Sequence, residues 1–225
     1  DTEKSPYLDL AKKYNLKIDF HPFIHIEPVV AQEFRKERID ISRFTAVIFT
    51  SRNAVDHFFR ICPELRITVP DTMKYFCISE STAFYLQKYI QYRKRKIFYG
   101  KQTIQDLIGV IKKHKKEKFL LPCTDVHKQE IPRCLSEHNI LFTEAVIYKT
   151  VCSDLSALAK VNYDMLVFFS PAGVRSLFKN FPKFRQNNTR IAAFGPTTAQ
   201  AVLDAKLRLD VQAPQPNAPS MTMAI

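Results

Sequence analysis

One segment of the chain occurs twice, and any fold must accommodate both copies. Ile48 to Phe59 (IFTSRNAVDHFF) aligns without gaps on Val167 to Phe178 (VFFSPAGVRSLF). Downstream, Cys77 to Ala83 (CISESTA) falls on Ala193 to Ala199 (AFGPTTA) at almost the same offset. Self-similarity on this scale predicts two similar domains, and a chain of 225 residues gives each room for its own core.

Each copy reads as a strand followed by a helix. Ala46 to Phe49 and Leu166 to Phe169 are short, continuous apolar runs of the kind that parallel sheets bury on both faces. Val55, Phe58 and Phe59 in one copy, and Val174, Leu177 and Phe178 in the other, then recur at i, i+3, i+4. Ser51 and Ser170 therefore fall where a strand ends and a helix begins; Ser170 suits the N-cap and Pro171 the first turn. Further strands are expected at Leu16 to Phe20, Tyr75 to Ile78, Lys96 to Tyr99, Lys118 to Leu121, Thr143 to Tyr148 and Arg190 to Phe194, with helical patterns between them. The alternation predicts the α/β class, with two flavodoxin-like domains built on parallel sheets.

The order of the parts predicts how the domains are threaded. Ile131 to Ile140 resembles Tyr7 to Leu16, a helix leading into a strand, so the N-terminal segment completes the second repeat. One domain is then discontinuous, residues 1–28 plus 152–225, and the other continuous, 29–151. Two extended segments, Ile26 to Val30 and Tyr148 to Cys152, cross between them as an expected two-strand hinge. By the same comparison the counterpart of the strand Lys118 to Leu121 is expected before Asp1, either trimmed away or dispensed with by the domain, and the sequence is expected to stop inside a helix that starts near Ser220.

Composition narrows the chemistry. No run approaches the roughly 18 apolar residues of a membrane span, and no signal peptide is visible. Five cysteines without Cys-x-x-Cys spacing favour reduced thiols in a cytoplasmic protein. A net charge of +12 attracts polyanions, although a solvated basic surface is the plainer reading. The densest clusters are Arg93 to Lys96 and Lys112 to Lys116; no nucleic-acid motif accompanies them, and a small molecule with several carboxylates fits them equally well. There is no Gly-x-Gly-x-x-Gly or Walker A sequence, and only four glycines in all, which argues against nucleotide binding. His21 and His25 alternate along an extended segment, while His57, His114, His127 and His138 stand alone as surface or packing residues, so no metal-ligand spacing appears. Six residues of helix turn His57 away from Ser51, and no nucleophile elbow surrounds that serine.

What remains is a set of hydroxyls at loop-to-helix junctions. Thr50, Ser51, Ser79, Ser81 and Thr82 belong to one domain, and Ser170, Thr197 and Thr198 to the other. Each can simply cap a helix. Helix N-termini also offer free N–H groups and a positive dipole end to anions. Two such rims across a hinge are expected to form a carboxylate-binding cleft.

Phe169 to Val174 (FSPAGV) and Ala192 to Ala199 (AAFGPTTA) resemble the two clearest signatures of the uroporphyrinogen-III synthase family. Phe49 to Val55 (FTSRNAV) is similar to a third, and Ala145 to Thr150 (AVIYKT) to the family's hinge motif. The likeness covers nearly the whole chain. It implies a cofactor-independent lyase of tetrapyrrole biosynthesis that acts without metal, as a monomer, on a linear tetrapyrrole with eight carboxylates. Hydroxymethylbilane is closed into a macrocycle with inversion of the last pyrrole ring and loss of water. The resemblance implies Tyr148 as the proton donor or relay, with a packing role in the hinge as the alternative. It implies Thr50, Ser51, Ser79, Ser81, Thr82, Ser170, Pro171, Gly195, Thr197 and Thr198 as substrate-binding positions. Two departures stand out: Lys206 occupies a turn that suits glycine if φ is positive, and Pro122 to Asp125 form a loop without a small residue. A catalytically idle binding or regulatory module of the same fold is the second reading, and a nucleic-acid binder, resting on charge alone, the third.

Overall fold

The computed structural model describes residues 5–126 and 129–225. In chain order the first half contains α1 (Pro6–Tyr14), β1 (Ile24–Pro28), α2 (Ala31–Phe34), β2 (Ala46–Phe49), α3 (Arg52–Glu64), β3 (Lys74–Cys77), α4 (Glu80–Tyr85), β4 (Ile97–Tyr99) and α5 (Ile104–Lys113). The second contains β5 (Phe119–Thr124), α6 (Glu130–Glu137), β6 (Phe142–Cys152), β7 (Met165–Phe168), α7 (Pro171–Asn180), β8 (Arg190–Phe194), α8 (Pro196–Asp204), β9 (Val211–Ala213) and α9 (Met221–Ala224). These fall into two compact units, Ile26–Thr150 and Asp1–His25 with Val151–Ile225.

The continuous unit holds a sheet of order β1-β6-β5-β2-β3-β4, in which β6, β5, β2, β3 and β4 are mutually parallel. Counted from β2, those five strands lie in the order 3-2-1-4-5, where flavodoxin-like sheets run 2-1-3-4-5. The switch point lies between β2 and β5. Both faces are covered because β2 alternates between two cores: Val47 and Phe49 join Val55 and Phe58 of α3, and Ala46 and Ile48 join Leu107 and Ile111 of α5. Burying both faces explains the unbroken apolar run in the sequence.

Pro122 and Cys123, expected in a loop, are buried in β5. The ladder between β2 and β5 runs through Phe119 and Leu120 and ends before Pro122, which has no N–H to add to it. On its other side β5 runs along β6 in register until a bulge, where Cys123 faces Val146 and Thr124 faces Tyr148. Next to β6 lies β1, bracketed by Val29 N–H donating to the Ile147 carbonyl at 3.1 Å and Ser153 N–H to that of Phe23 at 3.0 Å.

The discontinuous unit carries the parallel sheet β7-β8-β9. Phe168, Val174, Leu177, Ile191, Ala199 and Val202 form one core. Ala192, Ala213 and Met221 form a second on its other face, with Tyr7 of α1 packed against it. The strand expected at Leu16 to Phe20 does not form: that segment has no ladder partner among the described residues, and both Leu16 and Phe20 are exposed. Its alternating pattern suits a strand, but β pairing needs a neighbour, and Phe20 instead meets Tyr7 edge-on at 5.9 Å. The short β9 gave no signal beside Pro214 and Pro216.

Candidate functional site

The carboxyl end of β2 adjoins the switch point, where ligands bind in open α/β sheets. Thr50, half-buried, follows the last strand residue Phe49, and Ser51 caps α3 by accepting a hydrogen bond from Ala54 N–H at 3.1 Å. Tyr148 reaches the same place from β6 because of the bulge. Strand alternation alone would put Ile147 and Tyr148 on opposite faces; one extra residue lets Ala145, Ile147 and Tyr148 all join the core beneath α3.

Tyr148 is 7 % exposed. Its hydroxyl lies 3.5 Å from Ser51 Oγ, and its ring stacks on the His57 imidazole at 5.0 Å with an 18° interplanar angle. Burial pushes the phenol above its ordinary range, opposed in part by the Ser51 hydroxyl. It therefore keeps its proton at neutral pH. His57 is held below its usual value by burial and then by the Arg60 guanidinium, so its imidazole is neutral there. Arg60 Nε donates to His57 Nδ1 at 3.3 Å, Nη1 to Glu64 at 2.8 Å, and Nη2 to the carbonyls of Val29 at 2.8 Å and Ile147 at 3.2 Å.

A second group of hydroxyls opens α4. Ser79 caps it by accepting from Thr82 N–H at 3.3 Å, and its Oγ lies 3.1 Å from that of Ser81 and 3.0 Å from Thr82 Oγ1. Ser81 is exposed and Thr82 buried. Asp56 ties α3 to this segment, accepting from the Tyr85 hydroxyl at 2.9 Å, from Lys88 Nζ at 2.9 Å and from the Tyr89 hydroxyl at 2.5 Å. Burial would raise the Asp56 carboxyl, but those three donors hold it below the usual range. Arg52 in the first turn of α3 rests its guanidinium over the Tyr85 ring at 5.4 Å.

In the discontinuous unit, Ser170 caps α7 by accepting from Gly173 N–H at 3.2 Å, and Pro171 opens the helix. Gly195 precedes α8 with φ 86° and ψ 150°, a conformation almost confined to glycine. Its N–H donates to the Ala213 carbonyl at 2.6 Å, which fixes the strand-to-helix turn. Beyond Pro196, Thr197 is exposed and Thr198 is 2 % exposed, so Thr197 carries the accessible hydroxyl of the pair.

Among the described residues no group of His, Cys, Asp or Glu is arranged to hold a metal ion, and no helix is long and apolar enough to cross a membrane. His127 lies outside the described residues. The family model for uroporphyrinogen-III synthase HemD matches residues 5–223. The chain belongs to the uroporphyrinogen-III synthase family. A uroporphyrinogen-III synthase of Chlorobaculum parvum is 24% identical over 239 residues, covering 99% of this chain and 94% of that one. Among solved structures, uroporphyrinogen-III synthetase from Helicobacter pylori matches with TM-score 0.64 at 20% identity, covering 93% of this chain and 92% of that chain. A mutant uroporphyrinogen III synthase from Thermus thermophilus matches with TM-score 0.55 at 16% identity, covering 98% and 92%. Those likenesses carry the two-domain α/β fold.

Three residues of this family member drew no functional reading from sequence. Sequence spacing set His57 apart from Ser51, yet both touch Tyr148, one at its ring and the other at its hydroxyl. Arg60 follows His57 by three positions and Glu64 follows Arg60 by four, the helix spacing that joins side chains on one face. That spacing was the available signal. Asp56 gave none, because its donors lie about thirty residues away in sequence.

Proposed function

We propose that the chain has the activity of its family, closing hydroxymethylbilane into uroporphyrinogen III with inversion of the terminal ring, as a cofactor-independent lyase. The observation that carries this reading is the pairing of the Tyr148 and Ser51 hydroxyls at a sheet switch point, on a helix N-terminus. In the reaction the C–O bond of the terminal hydroxymethyl group breaks and its oxygen leaves as water with an added proton. The electrophilic azafulvene left behind is attacked by the other end of the chain. Tyr148 supplies or relays that proton. A raised phenol is a weak acid, so its contribution is placement more than acidity. The Ser51 hydroxyl, which accepts from Ala54 N–H, can pass a proton between the phenol and a leaving oxygen.

The substrate-binding positions are Thr50, Ser51, Ser79, Ser81 and Thr82 in the continuous unit, and Ser170, Pro171, Gly195, Thr197 and Thr198 in the discontinuous one. Supporting this, Ser51, Ser79 and Ser170 are all N-caps, where backbone N–H groups and the dipole favour carboxylates. Five unpaired cysteines suit a reducing compartment, so we place the enzyme in the cytoplasm. The test is incubation with enzymatically generated hydroxymethylbilane and identification of the cyclised isomer. The type III isomer is expected; formation of only the non-inverted type I product, which arises spontaneously, would overturn the assignment and leave an idle member of the fold.

A further inference from the structure

We propose that His57 is a positioning residue for Tyr148, its imidazole lying flat against the phenol ring and holding the hydroxyl toward Ser51. The inference rests on the acid role given to Tyr148 above. Its basis is geometric: near-parallel rings 5.0 Å apart on one side, and the Ser51 hydroxyl 3.5 Å from the phenol oxygen at the end of the ring. Between them they restrict both the plane of the phenol and the direction of its O–H.

The imidazole is itself oriented. Arg60 Nε donates to Nδ1, so Nδ1 is an acceptor and the ring proton of neutral His57 sits on Nε2. Arg60 cannot swing freely, because its other nitrogens bond Glu64 and the carbonyls of Val29 and Ile147. Ile147 is the residue before Tyr148 at the β6 bulge, so one guanidinium fixes both the backbone that carries the phenol and the ring against which it rests. The charged and titratable groups around His57 are Arg60 and Asp56 from α3 and Tyr148 from β6. Asp56 already accepts from Tyr85, Lys88 and Tyr89. A protonated imidazole would forfeit the Nδ1 acceptor and place a second cation beside Arg60, so the platform works as a neutral ring.

The prediction concerns turnover more than binding, since misplacing a proton donor by about 1 Å costs on the order of 100-fold in rate. With enzymatically generated hydroxymethylbilane, His57→Ala is expected to lower kcat by roughly 10- to 100-fold with KM changed by less than about threefold. His57→Gln, which keeps an acceptor for Arg60 but no ring, should behave like His57→Ala and provides a second variant if the alanine form does not fold. His57→Phe restores a flat ring and should recover most of the lost kcat. In a Tyr148→Phe background, removing the His57 ring should cost nothing further, the coupling expected of groups that act through one another. Wild-type kcat in a folded variant lacking the ring overturns the inference, as does failure of His57→Phe to recover activity or an undiminished loss in the Tyr148→Phe background. If Tyr148→Phe itself turns over at the wild-type rate, the acid reading fails and this inference with it. That result differs from a slow Tyr148→Phe beside a fast His57→Ala, which removes the positioning role alone.

Discussion

Gly195 and Lys206 sit at the two ends of α8, and each has a positive φ. Gly195, at φ 86° and ψ 150°, lies in a region that other residues scarcely enter. A Cβ added there meets nothing within 4 Å, so the cost of Gly195→Ala is backbone strain alone. It is expected to be about 1–3 kcal/mol, read as a lower urea midpoint with unchanged slope. Lys206, at φ 58°, is the opposite case, a side chain where glycine would be at ease. Lys206→Gly should raise stability by about 0.5–1 kcal/mol, the relief of left-handed strain less the entropy glycine loses on folding. The sequence flagged Lys206, since a lysine where a helix should stop is a local signal, whereas Gly195 entered only through its family motif. Tyr148 was legible only through its motif, because what gives it its neighbours is a bulge. A single inserted residue leaves the apolar pattern Ala145, Val146, Ile147 readable in either register.

At the scale of elements, the parallel strands were legible wherever they are buried on both faces. Ala46–Phe49 and Arg190–Phe194 have the limits expected of them, and the others shift by a few residues. Leu16 to Phe20 was misread and β9 missed for one reason: whether a segment becomes a strand depends on a neighbour distant in sequence. The same holds for the link between α3 and α4, which runs through Asp56. Its carboxylate binds a lysine and two phenols that follow it by twenty-nine to thirty-three residues. Asp56→Ala should cost about 1–2 kcal/mol, a charge-assisted set discounted for its partial exposure. The pH dependence has a definite sign. The folded-state pKa of Asp56 is lower than the ordinary 3.8, so its contribution is complete above that value and is lost as pH falls through the folded pKa. The gap in urea midpoint between wild type and Asp56→Ala should therefore be constant from neutral pH to about 5 and close in stronger acid. A gap that persists unchanged well below the carboxylate range would mean that packing of the aspartate, and not its charge, holds the two helices.

For the whole molecule, the repeated strand-serine-helix piece was legible because each copy is a complete local unit, with strand, cap and amphipathic helix adjacent in sequence. The difference between a six-stranded and a three-stranded sheet was not legible, since it depends on which segments find ladder partners. Charge also belongs to this scale. A net +12 has no bearing on fold, but it acts on any ligand with many carboxylates approaching from solvent. Under the proposed function the ligand carries eight, while the hydroxyls assigned to binding are neutral, and three of them, Ser51, Ser79 and Ser170, cap helices. Long-range attraction should then aid capture, and the helix N-termini should fix the carboxylates once bound. The two contributions separate by ionic strength, because the screening length falls from about 10 Å at 0.1 M to about 3 Å at 1 M while hydrogen bonds at helix ends are short-ranged. KM for hydroxymethylbilane should rise several-fold between about 0.05 and 0.5 M potassium chloride, with kcat nearly constant. Replacing Lys112, Lys113, Lys115 and Lys116 together by glutamine should flatten that dependence if the cluster contributes to capture. An equal rise in the glutamine variant would assign the steering to basic residues elsewhere, and a salt-independent KM would leave the positive charge without a part in substrate binding.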